Sequence, residues 1–256
     1  MNNSEKRKEY MRNIYSKGWS KTRKGMGVEQ YDKDLIHELS KKVKNGKILE
    51  VGIGDGFPYS NVLDEMGYEV YGIDISPTHV DMVKESLPNI NVRVGDSEDL
   101  EFTDNFFDVV FCFRSTWYFT NLIKSISEML RVVKDDGLIM FDIQNSNHPT
   151  HVKFMKEQIR RKNHYIYEIT SRLIKNFTKL IIRPIRFYSI NWSFNKHIIV
   201  GIPTDPSSIN QYLSKEYNIN YKIYGVNWDH SSSLEEITTT MDVNHFDRLV
   251  YKVIKI

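Results

Sequence analysis

A single cysteine, Cys112, occurs in the 256 residues, so no disulfide framework can form within the chain. It lies in an apolar run and reads as a small buried hydrophobe. No apolar run reaches about eighteen residues, so no spanning helix is expected. The N-terminus opens polar and charged, without a signal-peptide pattern, and the expected setting is the cytoplasm. Neither sign of charge dominates: 35 Lys and Arg against 33 Asp and Glu leave a net charge of +2, which argues against a global nucleic-acid binder and against an acidic tail. No internal repeat appears. The length suits one large α/β domain with an insertion.

The most informative stretch is Ile48 to Tyr59, I-L-E-V-G-I-G-D-G-F-P-Y. A short apolar run (Ile48, Leu49, Val51) carries an acid, Glu50, and stops at Gly52, Gly54 and Gly56. Glycine takes positive φ readily and lets a ligand approach the backbone, so the pattern predicts a buried parallel strand, a tight turn and a helix. About twenty residues on, Tyr68, Val70, Tyr71 and Ile73 form a second strand that ends in Asp74. In a βαβ unit these strand ends are neighbours, so Asp74 would face the glycine turn and accept hydrogen bonds from ribose hydroxyls. A nucleoside ligand is therefore expected.

The usual dinucleotide fingerprint sets its third glycine three residues after the second, whereas this turn is G-x-G-x-G with Phe57-Pro58 behind it. Here the chain resembles the class I S-adenosylmethionine-dependent methyltransferases, whose first motif is a hydrophobic strand, an acid and G-x-G-x-G; the resemblance runs from about Lys47 to Ile143 and resumes weakly near the C-terminus. It implies a Rossmann-like α/β fold: a mostly parallel seven-stranded sheet with an antiparallel last strand, helices on both faces and a helical insertion after strand five. It also implies S-adenosylmethionine as cofactor, held by Glu50, Gly52, Ile53, Gly54, Gly56, Asp74, Ile75, Asp96, Ser97, Phe113 and Arg114. In the family an acid at the position of Asp96 meets the adenine's exocyclic amine.

Phe106 to Phe113 reads as a fourth strand buried on both faces. Many small-molecule methyltransferases carry a histidine just beyond it, where this chain has Ser115-Thr116-Trp117-Tyr118. The N/D-P-P-Y/F motif of DNA amino-methylating members is absent, and DNA is not an expected partner. The nucleophile's base is sought at His148 or His151, with Tyr118 and Arg114 as orienting groups. Asp142 and Asn145 follow strand five, but the other ligands of metal-dependent members are not evident, so no metal is expected.

Four regions follow: an N-terminal helical cap (1–46), the cofactor-binding core (47–145), a basic insertion (146–196) and a C-terminal completion of the sheet (197–256). Tyr10, Tyr15 and Trp19 of the cap are either lid residues or simple packing. The insertion predicts an amphipathic helix, with Ile166, Ile169, Leu173, Phe177 and Leu180 at helical spacing before Pro184. Its lysines and arginines admit three readings: a solvated face, recognition of an anionic substrate, or contact of 166–186 with an anionic membrane surface. The expected activity is O-methylation of a small polar or anionic metabolite, or of a surface-glycan sugar or its phosphorylated precursor. N-methylation of a small amine or amino sugar is the alternative. A non-catalytic nucleotide-binding protein and an RNA-directed methyltransferase are the readings from other classes.

Overall fold

The computed structural model describes residues 3–14, 27–161, 163, 201–215, 219–227, 233–238 and 241–256. Tyr15, Trp19, the amphipathic stretch Ile166 to Leu180 and the membrane-contact stretch 166–186 lie outside them.

Helices α1 (Asn3–Ile14) and α2 (Gln30–Ser40) precede strand β1 (Lys47–Val51). There follow α3 (Tyr59–Glu65), β2 (Glu69–Asp74), α4 (Pro77–Ser86), β3 (Asn91–Val94) and β4 (Phe107–Cys112). A 3-10 turn (Thr116–Tyr118) leads to α5 (Leu122–Val132) and β5 (Val133–Gln144), and a helix α6 spans 149–161. The chain closes with α7 (Pro206–Leu213), β6 (Ile219–Val226), the two-residue β7 (Glu235–Glu236) and β8 (Arg248–Lys255).

The strands form one sheet in the order β3-β2-β1-β4-β5-β8-β6-β7. Pairing is parallel from β3 to β5, and β8 runs antiparallel to both β5 and β6. This is the expected sheet with one addition, the edge strand β7 paired to β6 through Tyr224 and Gly225.

Successive residues of β1 feed opposite faces, as the two-residue period of a strand requires. Ile48 joins the core beneath α2, α3 and α4, while Leu49 and Val51 join the core beneath α5 and α7. Strand β4 does the same with Val109 and Phe111 on one side and Val110 and Cys112 on the other, all fully buried. Burial on both faces explains why its sequence shows no polar alternation. Strand order reverses between β1 and β4, the place where open α/β sheets bind ligands beyond their strand ends.

The carboxyl end of β5 carries Asp142, which is fully buried and bonded on every side. Its Oδ2 accepts from the Arg248 guanidinium at 3.0 Å and from the Tyr31 hydroxyl at 2.9 Å, and its Oδ1 accepts the Arg114 backbone N–H at 2.8 Å. Asp142→Ala is expected to destabilise the protein by about 3–5 kcal/mol, because it leaves the Arg248 guanidinium buried without its carboxylate. The double change Asp142→Leu with Arg248→Met should cost much less than the single one, as urea unfolding of both variants would measure.

Candidate cofactor cleft and its neighbouring cavity

A cleft opens beyond the carboxyl ends of β1 to β4. Gly52 and Gly54 line it from β1, Asp74 and Ile75 from β2, Asp96 and Ser97 from β3, and Arg114, Ser115 and Tyr118 from β4.

The floor is built by the glycine turn. Gly52 has φ +79°, and a Cβ there would lie 2.8 Å from the Ser115 Cβ, so only glycine lets the β1 and β4 loops meet. The Ser115 hydroxyl donates to the Gly52 carbonyl at 3.0 Å, which fixes that approach. Gly54, at φ +60°, sends its N–H to the Asp74 Oδ2 at 2.9 Å. Asp74 Oδ1 accepts the Ser76 N–H at 2.8 Å, and the His79 ring lies 3.3 Å away. Ser76 and Pro77 open α4 as N-cap and first helical residue, and this places His79 on the first turn beside Asp74. A carboxylate offers about four acceptor directions, so Asp74 retains capacity for a donor entering the cleft.

Asp96 Oδ1 accepts the Glu98 N–H at 3.0 Å, and the Ser97 and Ser125 hydroxyls are 2.9 Å apart. Helix α1 closes this end with Lys8 and Met11. The Lys8 ammonium is 2.7 Å from Asp96 and 3.0 Å from Glu98. Burial works against its charge, but the two carboxylates prevail and hold its pKa above the ordinary lysine value.

Other residues expected at the cofactor stand one layer behind the cleft. Glu50 is buried and accepts the Ser60 hydroxyl at 2.5 Å, which ties β1 to the start of α3. Ile53 is fully buried and fills the space above Gly72. Gly56 turns the chain at φ +79°, where a Cβ would meet the Leu87 side chain. Phe113 packs edge-on against Tyr59, with ring centroids 5.1 Å apart. Arg114 lines the cleft, yet its guanidinium bonds to Asp32 at 2.8 Å and Glu29 at 3.2 Å, the two ends of the α2 capping box. Its backbone takes φ +58°, a conformation costly for a non-glycine residue and held here by the bond from its N–H to Asp142.

His148 does not line this cleft; it lies in a second cavity with Gln144, His151, Asn227, Asn244, His245, Asp247 and Arg248. Its Nδ1 accepts the Thr150 N–H at the start of α6 at 3.4 Å, and the His151 ring sits with its centroid 6.1 Å away. His151 Nε2 is 3.0 Å from the Asp247 carbonyl, and burial holds the His151 pKa below the ordinary histidine value. Trp117 links the two spaces: Tyr118 beside it lines the cleft, and its ring lies 5.0 Å from the Arg248 guanidinium carbon in the second cavity.

Lys8, Met11, His79 and Glu98 line the cleft without having been expected there. Glu98 lies two residues beyond Asp96 in an acidic stretch after β3, and His79 follows the Ser76-Pro77 helix start; Lys8 and Met11 carry no local signal.

The sheet order, the glycine floor and an acid at the end of β2 define a Rossmann-like fold with a cleft suited to a nucleoside. Residues 49–141 match a family model described as a methyltransferase domain, and the cofactor that this match implies is S-adenosylmethionine. The chain is 27% identical over 153 residues to a sterol 4-C-methyltransferase of Caenorhabditis elegans, covering 56% of this chain and 45% of that protein. It is 28% identical over 116 residues to a demethylmenaquinone methyltransferase of Chlorobaculum parvum, covering 44% and 48%. The chain thus spans about half the length of these relatives. Among solved structures, an S-adenosylmethionine-dependent methyltransferase of Thermotoga maritima shares the fold with a TM-score of 0.58 at 13% identity, covering 89% of this chain and 90% of that one. A TehB-like methyltransferase of Corynebacterium glutamicum does so with a TM-score of 0.52 at 14% identity, covering 92% and 93%.

The cleft suits the nucleoside part of this cofactor: a close backbone turn at Gly52 and Gly54, both at positive φ, a carboxylate braced by Gly54, and a second carboxylate after β3. Gly52→Val should abolish S-adenosylmethionine binding in calorimetric titration, since it combines a positive φ with a 2.8 Å clash. Asp74→Ala should also lose binding, and in addition destabilise the fold by about 1–3 kcal/mol for each stranded N–H of Gly54 and Ser76.

Proposed function

We propose that the protein transfers a methyl group from S-adenosylmethionine to an oxygen of a small polar or anionic acceptor. The supporting observation is the pairing of the nucleoside cleft with an adjacent cavity lined, among the described residues, by three imidazoles and by the amides of Gln144, Asn227 and Asn244. Such a lining favours a hydroxylated or acidic acceptor over a sterol or quinone, whose burial would leave these polar groups without water or partner. The names of the curated relatives favour a second reading, methyl transfer to carbon.

The bound cofactor supplies an electrophilic methyl group, and the protein's share is to hold the acceptor in line with it and keep water out. Tyr118, on the cleft wall, orients the acceptor. The Arg114 guanidinium, held by Asp32 and Glu29, acts by fixing the loop that presents Tyr118. His148 removes the acceptor's proton, with the acceptor reaching from the second cavity toward the cleft. The lysines and arginines of the basic insertion suit a phosphate or carboxylate on the acceptor. A cytoplasmic location belongs to the same proposal; no helix among the described residues is long and apolar enough to cross a membrane.

Calorimetric titration should show S-adenosylmethionine and S-adenosylhomocysteine binding, and NAD and NADP not. With an acceptor found by screening sugar phosphates and hydroxy acids for methylation, His148→Gln should lower kcat by about a hundredfold to ten-thousandfold without changing cofactor affinity. An unchanged kcat would remove His148 from the mechanism, and methylation of a carbon acid alone would replace the oxygen reading with the second one.

A further inference from the structure

Asp96 and Glu98 stand side by side at one end of the cleft, with side chains only 25% and 10% exposed. Two carboxylates so placed repel each other unless a cation joins them. The cation is Lys8, whose side chain is 11% exposed although it comes from a polar, charged helix. Its ammonium reaches Asp96 Oδ2 and Glu98 Oε2, while Glu98 Oε1 accepts the Asn121 N–H at 2.9 Å and the Thr120 hydroxyl. Each carboxylate is therefore gripped from two sides and has little freedom to turn. Asp96 still has acceptor capacity toward the cleft that it lines. Helix α1 is tied down next to this point, because Arg7 donates to the Trp117 carbonyl at 3.0 Å and Met11 is buried.

We propose that Lys8 is a positioning residue of the cofactor site: it holds Asp96 in the orientation that accepts the adenine amino group and makes α1 a wall of the nucleoside pocket. This rests on the reading of Asp96 as the adenine-facing acid. The consequence is base selectivity, since a fixed acceptor favours an exocyclic amine and repels an exocyclic carbonyl.

The test compares S-adenosylhomocysteine with its 6-oxo counterpart, S-inosylhomocysteine, by calorimetric titration of the full chain and of Lys8→Met and Lys8→Arg. The unaltered protein should prefer the amine. In Lys8→Met, affinity for S-adenosylhomocysteine should fall by about tenfold while that for the 6-oxo compound changes by less than about threefold, because the lost interaction is a charge-assisted one. Lys8→Arg, which keeps the cation, should restore the selectivity. Unchanged affinity in Lys8→Met, or equal weakening of both compounds, would overturn the proposal. If the unaltered protein binds neither compound, the cofactor reading itself fails and takes the proposal with it. Should Lys8→Met not fold, as judged by thermal melting, Lys8→Gln carries the same comparison.

Discussion

Burying a carboxylate is costly unless cations and hydrogen bonds replace the water it loses, and the fully buried Asp142 makes the structure pay that cost in a useful way. Its partners come from three distant parts of the chain: Tyr31 on α2, the Arg114 backbone beyond β4, and Arg248 at the start of β8. The antiparallel edge of the sheet, the helix covering one face and the loop forming one wall of the cleft are thereby fixed to one point. The Arg114 guanidinium extends the same network to Asp32, which also accepts the Tyr59 hydroxyl at 2.6 Å at the head of α3. Positive φ at Arg114 follows from these constraints, and with it the placement of Ser115 against Gly52 and of Tyr118 along the cleft.

Most of the core was legible because its signals are local. The run from Ile48 to Gly56, the acid ending β2, the apolar β4 and the Ser-Pro start of α4 each state a backbone geometry within a few residues. What sequence patterns do not state is where a side chain points once the strands are paired. Glu50 and Asp74 both stand near strand ends, yet Glu50 turns toward Ser60 and Asp74 toward the turn that lines the cleft. Arg114 looked like a charge offered to a ligand, and two acids of α2 engage it. Lys8 was illegible for a plainer reason: its partners lie 88 and 90 positions away, and a lysine on a charged helix carries no mark of them. The edge strand β7, only two residues long, is too short for a periodic signal.

The cleft and the second cavity place different demands on the fold. The nucleoside cleft sits where the strand order reverses, and its floor depends on Gly52, where a Cβ would strike Ser115. The second cavity is assembled from the end of β5, the start of α6, the end of β6 and the turn before β8, and nothing in the parallel core dictates which side chains appear there. This division fits the pattern of the comparisons, in which the family match covers residues 49–141 and stops before the elements that line that cavity.

The chemistry of methyl transfer sharpens the difference between acceptors. A carbon acid conjugated to a carbonyl and a hydroxyl both give up a proton, but a neutral alcohol is the poorer nucleophile and depends more on a base held against it. Water in the second cavity would level any such base toward its solution behaviour, whereas burial holds His151 toward its neutral, proton-accepting form. His151 contacts the Asp247 carbonyl, and that contact orients its ring. His148, its neighbour, accepts the Thr150 N–H of α6 at Nδ1, so its neutral ring carries a proton on Nε2 and Nδ1 is the nitrogen through which it would take another.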